Sequence, residues 1–383
     1  MPPRLRTAQS EQAGDRIVGI ELLRFASAVA VLVFHYQHFS FIGPTPTLVT
    51  EAQPFFRPLQ LFYEDGFYGV QVFWCISGFI FFWKYGRAIA ERSISARAFL
   101  VLRVSRLYPL HLLTLVFVAT LQPIYAARMH ADFVYRYNDL YHFVLQLFMA
   151  SNWGLEAGDS FNGPIWSISV ELLVYVIFFV ILRLISASWI TFGAIVLGSG
   201  LAQVFKLSNS PIVYCLTYFF LGCLAALAFA RTRQSARLAR MASAGAFLAI
   251  ISVLLLNLYI PVKPKWLLAV LSPAVIFLCV SHVRATPLSN RLLVPAGNMT
   301  YSSYLLHVPL QLTVMTFCAY TGFLVPFYRP YFFVCYIVVT LVLSSLCYRY
   351  FEMPAQRWIR RRFMPPKPAA NKARPEVGGG AAV

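Results

Sequence analysis

The stretch Glu21-Leu-Leu-Arg24-Phe-Ala-Ser-Ala-Val-Ala-Val-Leu-Val-Phe-His35-Tyr-Gln-His38 places four ionisable residues inside an apolar run that is long enough to cross a bilayer. At 100° per helical residue, the other three ionisable residues fall within about 60° of Arg24. Ionisable groups within a membrane usually face a protected interior. The stretch therefore predicts a membrane helix whose polar face lines a site, with Arg24 and His35 about 16 Å apart along the axis.

The composition is that of a polytopic membrane protein. Of the 383 residues, 59% are hydrophobic and only 12% are charged, which is far from the composition of a soluble domain. The formal net charge of +18 does not indicate nucleic-acid binding, because Lys and Arg lie between apolar runs and form no groove-reading module. The seven cysteines lie in apolar segments without a C-x-x-C pair, so we interpret them as small hydrophobic residues and expect no metal site.

Ten apolar runs approach the length that crosses a bilayer. They cover residues 18–39, 67–83, 107–122, 165–182, 189–205, 212–230, 243–260, 265–281, 300–321 and 331–348. A further stretch at 140–150 is too short to span and is predicted to be a re-entrant or interfacial helix. The predicted fold class is therefore all-α, a polytopic membrane protein with about ten transmembrane helices plus this short helix.

The basic residues predict the orientation of the chain. With the N-terminus in the cytoplasm and ten crossings, 24 of the 32 Lys and Arg residues fall in cytoplasmic segments and 7 in outer ones. Both termini are therefore predicted to be cytoplasmic. We divide the chain into a polar arm without a cleavable signal peptide (1–16), a membrane domain (17–360) and a disordered basic tail (361–383).

Two basic residues suggest a site for an anionic ligand. Arg103 and Arg106 lie three residues apart near the start of a predicted span, so they share one side of the helix. Two guanidinium groups in this position suit a phosphate or pyrophosphate at the membrane surface. A general excess of positive charge in cytoplasmic segments explains them equally well.

The segment Trp166-Ser-Ile-Ser169-Val-Glu171 opens a span after a Gly-Pro break. A carboxylate within a span, such as Glu171, indicates a functional site more strongly than a serine, which often only caps a helix. In an earlier span, Ser77-Gly78 permits a close approach between helices, and packing alone explains that pair.

Two later segments add candidate residues. Tyr304 and His307 share one face of the ninth span, and Pro309 follows them. Glu352 lies after the tenth span, where we favour a simple ion pair with Arg349, three residues earlier. Only the first two are therefore assigned to the predicted site.

Taken in order, these motifs resemble the acyltransferase-3 family of bacterial integral-membrane O-acyltransferases over most of residues 17–360. The motifs that carry the resemblance are Leu-Arg24 and His35 with ten residues between them, Phe-Trp-Cys-Ile-Ser77-Gly78-Phe, Arg103-x-x-Arg106-x-x-Pro109, Trp166-Ser-x-Ser-x-Glu171, Tyr301-Ser-x-Tyr304-Leu-x-His307-x-Pro309 and Glu352-x-Pro354. Glu171-Leu-Leu departs from the family pattern, in which a second Glu or a Gln often follows the first. The additional hydrolase-like domain of some larger members is also missing here.

The resemblance implies about ten transmembrane helices and the transfer of an acyl group, commonly acetyl, from cytoplasmic acyl-CoA to hydroxyl groups of envelope or exported polysaccharides or glycolipids. It implies a multi-pass protein of the bacterial inner membrane that uses acyl-CoA as co-substrate and holds no permanent cofactor. The expected partners are membrane lipids, acyl-CoA and a glycan or glycolipid acceptor. The sequence does not decide whether the protein forms a homo-oligomer. By the same resemblance, Arg24 and His35 form the central pair.

We predict that His35 acts as general base on the acceptor hydroxyl, whose oxygen then attacks the thioester carbonyl, and that His38 or Glu171 orients His35. The predicted catalytic residues are His35, Arg24 and Glu171, and the predicted acyl-CoA ligands are Arg103 and Arg106. The other predicted pocket residues are Glu21, His38, Ser77, Trp166, Ser169, Tyr304 and His307. A covalent acyl-His35 intermediate is the alternative chemistry, and proton-coupled or anion transport is the alternative function.

Overall fold

The computed structural model describes residues 17–41 and 48–364, which form fourteen α-helices and no β-strand. The helices are α1 (Val18–His35), α2 (Phe56–Asp65), α3 (Gly69–Ala90), α4 (Ala96–Met129), α5 (Leu140–Leu147), α6 (Ile165–Leu184), α7 (Trp189–Val204), α8 (Pro211–Thr232), α9 (Ala236–Tyr259), α10 (Pro264–His282), α11 (Pro287–Asn298), α12 (Thr300–Thr321), α13 (Pro330–Cys347) and α14 (Met353–Phe363). The predicted arm at 1–16 and most of the predicted tail at 361–383 lie outside the described residues. Helix α14 continues to Phe363, past the predicted domain boundary at residue 360.

Each of the ten predicted spans coincides with a helix, and eight helical segments in the described part of the chain are long and apolar enough to cross a membrane. The predicted polytopic all-α class is therefore confirmed. The helices at the other two predicted spans, α7 and α12, are not among these eight. Helix α7 is short, with only 16 residues, whereas α12 has 22 residues but many polar side chains. Helices α2, α11 and α14 are not among the predicted spans.

Helix α5 occupies the predicted re-entrant or interfacial stretch at 140–150. Its 8 residues rise about 12 Å, less than half of the hydrocarbon core. Asp139 caps the helix, because its Oδ1 accepts hydrogen bonds from the backbone N–H and from Nδ1 of His142, each at 2.8 Å. These two bonds, the backbone one first, hold the pKa of the Asp139 carboxyl below its usual range. A side-chain cap therefore stabilises the N-terminal end of this helix.

Helices α3 and α8 cross at very short range because each carries a glycine at the crossing. A Cβ atom on Gly78 would lie 1.8 Å from the carbonyl oxygen of Phe219, and one on Gly222 would lie 1.9 Å from that of Cys75. Only hydrogen fits at either position. The close approach predicted at Ser77-Gly78 is thus confirmed, and it places Ser77 in the wall of the cavity described below.

Helix α1 lies at the centre of the bundle, in contact with α2, α3, α10, α11 and α12. Glycines again allow close neighbours, since a Cβ atom on Gly297 of α11 would collide with the Glu21 carboxylate. The ionisable residues of α1 therefore face protein on several sides, which removes them from lipid.

Helix α12 packs against α1, α4 and α13 and is lined with buried polar groups. The buried polar residues of its first four turns are Thr300, Tyr301, Ser302, Ser303, Tyr304, His307 and Gln311. A polar spanning helix is expected where its side chains face other helices or a water-filled site. The low hydropathy of α12 is thus a consequence of its place beside α1.

Candidate active site

The polar face of α1 is divided between two places. Arg24 donates from Nη1 to Oε2 of Glu21 at 3.0 Å and from Nη2 to Oγ1 of Thr300 at 3.1 Å. His35 is the last α-helical residue of α1, and Tyr36–Ser40 continue as a 3₁₀ segment that carries His38. The two ends of this face contribute to different clusters of side chains.

The first cluster surrounds a cavity of about 250 Å³ beside the N-terminal half of α1. The cavity, which we name the charged cavity, is lined by seven ionisable side chains: Glu21, Arg24, Lys84, Arg103, Arg106, Glu171 and Glu352. Four cations against three carboxylates leave a net positive charge when all seven are ionised. A concave site with this balance attracts an anionic ligand.

Arg103 and Arg106 both line the charged cavity, as the one-sided placement on α4 predicts, but their surroundings differ. Arg103 is enclosed by aromatic rings: its Nη2 donates to the Tyr85 hydroxyl at 2.7 Å, and its guanidinium carbon lies 4.5 Å from the centre of the Phe81 ring. In the described part of the chain, Arg106 makes no hydrogen bond and no ion pair within 4 Å. Arg106 therefore has the greater capacity to bind an anion.

Glu352 differs from our prediction. We expected an ion pair with Arg349, but no such pair occurs within residues 48–364, and Glu352 is instead buried and accepts a hydrogen bond from the Ser302 hydroxyl at 2.7 Å. The cause is a π-helical turn at Tyr348–Glu352. A wider turn changes which way each side chain points, so the α-helical spacing of three no longer applies. Glu352 therefore lines the charged cavity. The motif Glu352-x-Pro354 was the feature of the sequence that could have indicated this position.

Glu171 also lines the charged cavity, where it interacts with Ser77 and Tyr175. Its Oε1 is buried and has no hydrogen-bond partner among the described residues. The structure does not bring Glu171 to His35, since no hydrogen bond or ring contact joins the two in the described chain. Its position suits an interaction with a ligand in the cavity rather than the predicted orientation of His35.

Two predicted pocket residues serve the surrounding structure. Trp166 is stacked on Phe67, with ring centres 5.7 Å apart, and meets the Trp74 ring edge-on. Ser169 is buried, and its carbonyl oxygen accepts a hydrogen bond from Nε1 of Trp153 at 3.0 Å, which ties a loop to α6. Neither residue belongs to the lining of the charged cavity.

The second cluster consists of three imidazole rings, and we name it the histidine cluster: His35, His38 and His307. The ring centre of His35 lies 4.9 Å from that of His38 and 4.9 Å from that of His307. All three side chains are buried, with exposed fractions of 8%, 6% and 0%. None of them lines the charged cavity. Within the described residues, no group of three or more His, Cys, Asp or Glu side chains is arranged to hold a metal ion.

Hydrogen bonds assign the protons on these rings. His35 Nδ1 lies 2.9 Å from the carbonyl oxygen of Val31, and His307 Nδ1 lies 3.2 Å from that of Ser303. A carbonyl oxygen only accepts, so each Nδ1 carries the hydrogen and each neutral ring keeps a lone pair on Nε2. His35 thus has the proton arrangement that a general base needs.

Gln311 fixes the third ring and was not a predicted site residue. Its Nε2 donates to the carbonyl oxygen of His35 at 2.8 Å, which leaves Oε1 facing Nδ1 of His38 at 3.1 Å. An amide oxygen only accepts, so His38 also carries its hydrogen on Nδ1. Gln311 is the side chain that joins the His35 carbonyl group to the His38 ring, and no sequence motif marked it.

Tyr304 and Ser167 lie between the two clusters. Both line the charged cavity, and their hydroxyl groups are 2.7 Å apart across α6 and α12. On its other side, the Tyr304 ring lies 6.0 Å from the His307 ring. This placement agrees with the predicted shared face of Tyr304 and His307, and Tyr304 connects the cavity lining to the histidine cluster.

Comparison with known proteins adds one finding. A family model described as an acyltransferase domain matches residues 17–349, nearly the whole chain. The chain belongs to the acyltransferase-3 family. Comparison with curated proteins and with solved structures finds no match. This acyltransferase-3 protein is therefore a membrane acyltransferase, and both of its side-chain clusters are built mainly from the matched residues.

Proposed function

We propose that this acyltransferase-3 protein transfers an acyl group, most simply acetyl, from acyl-CoA to a hydroxyl group of an envelope or exported glycan or glycolipid. The single observation that carries the proposal is the division of α1 between a charged cavity and a histidine cluster. A cationic cavity suits the phosphates of acyl-CoA, and a neutral imidazole with a free Nε2 suits proton removal from a hydroxyl.

The predicted orientation agrees with this division. The positive-inside pattern supports an orientation in which the N-terminal end of α1, and with it the charged cavity, faces the cytoplasm of a bacterial inner membrane. Acyl-CoA is a cytoplasmic compound, so the donor would enter from that side. The rise of about 16 Å from Arg24 to His35 is then spanned by the pantetheine arm, which passes beside the hydrogen-bonded Ser167 and Tyr304 hydroxyls.

Within the charged cavity, Arg106 is the main phosphate ligand in this proposal. Arg103 contributes charge from its aromatic enclosure. Arg24 is already bound to Glu21 and Thr300. Its place in the cavity, far along α1 from His35, favours donor binding over stabilisation of charge at the reacting carbonyl. Glu171 and Glu352 compensate the cations when the cavity is empty.

The chemical step takes place at the histidine cluster. His35 Nε2 removes the proton of the acceptor hydroxyl as its oxygen attacks the thioester carbonyl carbon. The new C–O bond forms, the C–S bond breaks, and the proton passes from His35 to the departing thiolate of CoA. General-base catalysis of this kind contributes about 10²- to 10⁴-fold in rate.

An acyl-His35 intermediate would use the same lone pair in two steps. The two routes differ in what happens without an acceptor. Incubation with acetyl-CoA alone, followed by intact mass measurement, should show no added acetyl group for direct transfer. An added acetyl group that is absent from His35→Asn would establish the two-step route and contradict direct transfer.

The proposed function is tested with purified protein in detergent, acetyl-CoA and a panel of envelope glycans. We expect CoA release and acetylated glycan from the wild type and from the control His130→Asn, which changes an exposed histidine outside both clusters. His35→Asn should be inactive, although its amide still donates to the Val31 carbonyl. Folded wild-type protein that neither binds nor consumes acetyl-CoA would contradict the proposal.

A further inference from the structure

The histidine cluster offers three hydrogen-bond acceptors, and the described residues supply no donor to them. The Nδ1 atoms of His35, His38 and His307 are all engaged with oxygen acceptors, so each neutral ring presents an unprotonated Nε2. Across residues 17–41 and 48–364, no amide, hydroxyl or other side chain donates to any of these Nε2 atoms. A ligand that enters the cluster must therefore bring its own donors.

His307 is the most informative of the three. Its Nε2 is buried without a partner among the described residues, and its exposed fraction is 0%. Buried acceptors are normally satisfied, so an unsatisfied one at a functional site suggests a missing ligand. Because the His307 ring is a direct neighbour of the His35 ring, a donor bound to His307 lies next to the group that His35 deprotonates.

We propose that the acceptor presents two neighbouring hydroxyl groups to this cluster, and is therefore a polyol such as a sugar with a free vicinal diol. This inference rests on the proposed function. One hydroxyl donates to His35 Nε2 and is acylated by the proton transfer and C–S cleavage described above. The other hydroxyl donates to His307 Nε2, is not acylated, and holds the acceptor in position.

The geometry agrees with one molecule that carries both hydroxyls. A hydroxyl oxygen hydrogen-bonded to an imidazole nitrogen lies about 2.7–3.2 Å from it. Since the two ring centres are only 4.9 Å apart, a single sugar residue is large enough to reach both rings at once. Adjacent carbons of one sugar ring provide the two hydroxyls. A lone hydroxyl would leave His307 Nε2 without a donor, and a site built to bind a hydroxyl discriminates against the analogue that lacks it.

The test compares two small acceptors that differ by one hydroxyl: trans-cyclohexane-1,2-diol and cyclohexanol, each with acetyl-CoA and purified protein. For the wild type we expect kcat/KM to be higher for the diol by about tenfold or more, well beyond the statistical advantage of a second hydroxyl. His307→Phe keeps a ring but has no acceptor atom, so the preference should largely disappear. His307→Gln, whose Oε1 reaches the position of Nε2, should restore part of it.

The outcomes separate this inference from the proposed function. Equal use of the two alcohols by the wild type, or an unchanged preference in folded His307→Phe, would overturn the diol proposal. Transfer to envelope glycans without transfer to either alcohol would also overturn it and leave the proposed function intact. Failure to consume acetyl-CoA with any acceptor would overturn both. The wild-type comparison decides the matter even if His307→Phe does not fold.

Discussion

The charged cavity and the histidine cluster both include residues of helices α1 and α12, yet their side chains differ in charge and in hydrogen bonding. The cavity collects seven ionisable groups whose charges partly cancel. The cluster collects three imidazoles whose hydrogen bonds leave basic lone pairs. The difference teaches that neighbouring helices can give the two ends of one polar face different chemistry, which in the proposed function serves two tasks. Charge suits binding of the donor, and a neutral base suits the chemical step.

The largest expected effect comes from removing the base. His35→Asn deletes Nε2 but keeps a donor for the Val31 carbonyl, so we expect kcat to fall at least about 10²-fold with little change in donor affinity. Steady-state kinetics with acetyl-CoA and equilibrium CoA binding measure the two quantities separately. His130→Asn is the matched control and should resemble the wild type. A parallel loss of CoA binding in His35→Asn would show that the two regions form a single site.

The second effect comes from removing a cation from the cavity. Arg106→Gln deletes a charge with no hydrogen-bond partner in the described structure, so we expect the Kd for CoA to rise about 10- to 100-fold, as for a lost charge-assisted bond. The KM for acetyl-CoA should rise in parallel, with a smaller change in kcat. Arg97→Gln, an exposed change on the same helix, is the control. An unchanged affinity of Arg106→Gln for CoA would show that Arg106 does not bind the donor.

A smaller effect is expected at Gln311, which supports the histidine cluster without being a base. Gln311→Leu leaves the His35 carbonyl and His38 Nδ1 without their partner. Loss of such buried bonds costs about 1–3 kcal/mol of unfolding free energy each, and less where water enters. Nitrogen NMR of the histidine rings should show a mixture of tautomers for His38. A single Nδ1–H tautomer in this variant would show that Gln311 does not determine it.

The smallest effect is expected outside both regions. Asp139→Ala removes the cap of α5 and should destabilise the start of that helix, with faster amide exchange at 140–147 and unchanged acyl transfer. Since folding lowers the Asp139 pKa, the cap stabilises the fold above the unperturbed value of about 3.9 and is lost as pH falls through the lower folded value. In the wild type, the protection of the 140–147 amides relative to the unfolded chain should therefore decrease only under strongly acidic conditions. Loss of transfer in Asp139→Ala would extend the active region to α5.

Much of the fold follows from the sequence because hydropathy and length are local properties. Each of the ten predicted spans coincides with a helix, although only eight helical segments of the described chain are long and apolar enough to cross a membrane, and Ser77-Gly78 correctly marked a close crossing of helices. The ends of helices were less predictable: α4 begins at Ala96, not near residue 107, because its first turns are polar and lie outside the apolar run. The π-helical turn before Glu352 carries no composition signal, so the prediction for that residue was wrong.

The site was only partly predictable. Helical geometry showed that Arg24 and His35 lie on one face and far apart along it, but it does not show that different neighbours enclose each end. His307 and Gln311 are more than 270 positions from His35 in the chain, and their approach depends on how α12 packs against α1. A single sequence contains no direct record of that packing. For the same reason, the sequence did not show that Glu171 lies in the lining of the charged cavity.

The most direct test of the central claim is equilibrium binding of CoA to purified wild type, His35→Asn and Arg106→Gln, with acyl transfer measured on the same preparations. If donor binding and chemistry are separate, His35→Asn binds CoA with an affinity close to that of the wild type and does not transfer the acyl group. Arg106→Gln should bind CoA weakly and regain transfer at high acetyl-CoA concentration. Loss of CoA binding in His35→Asn, with normal binding in Arg106→Gln, would contradict the account.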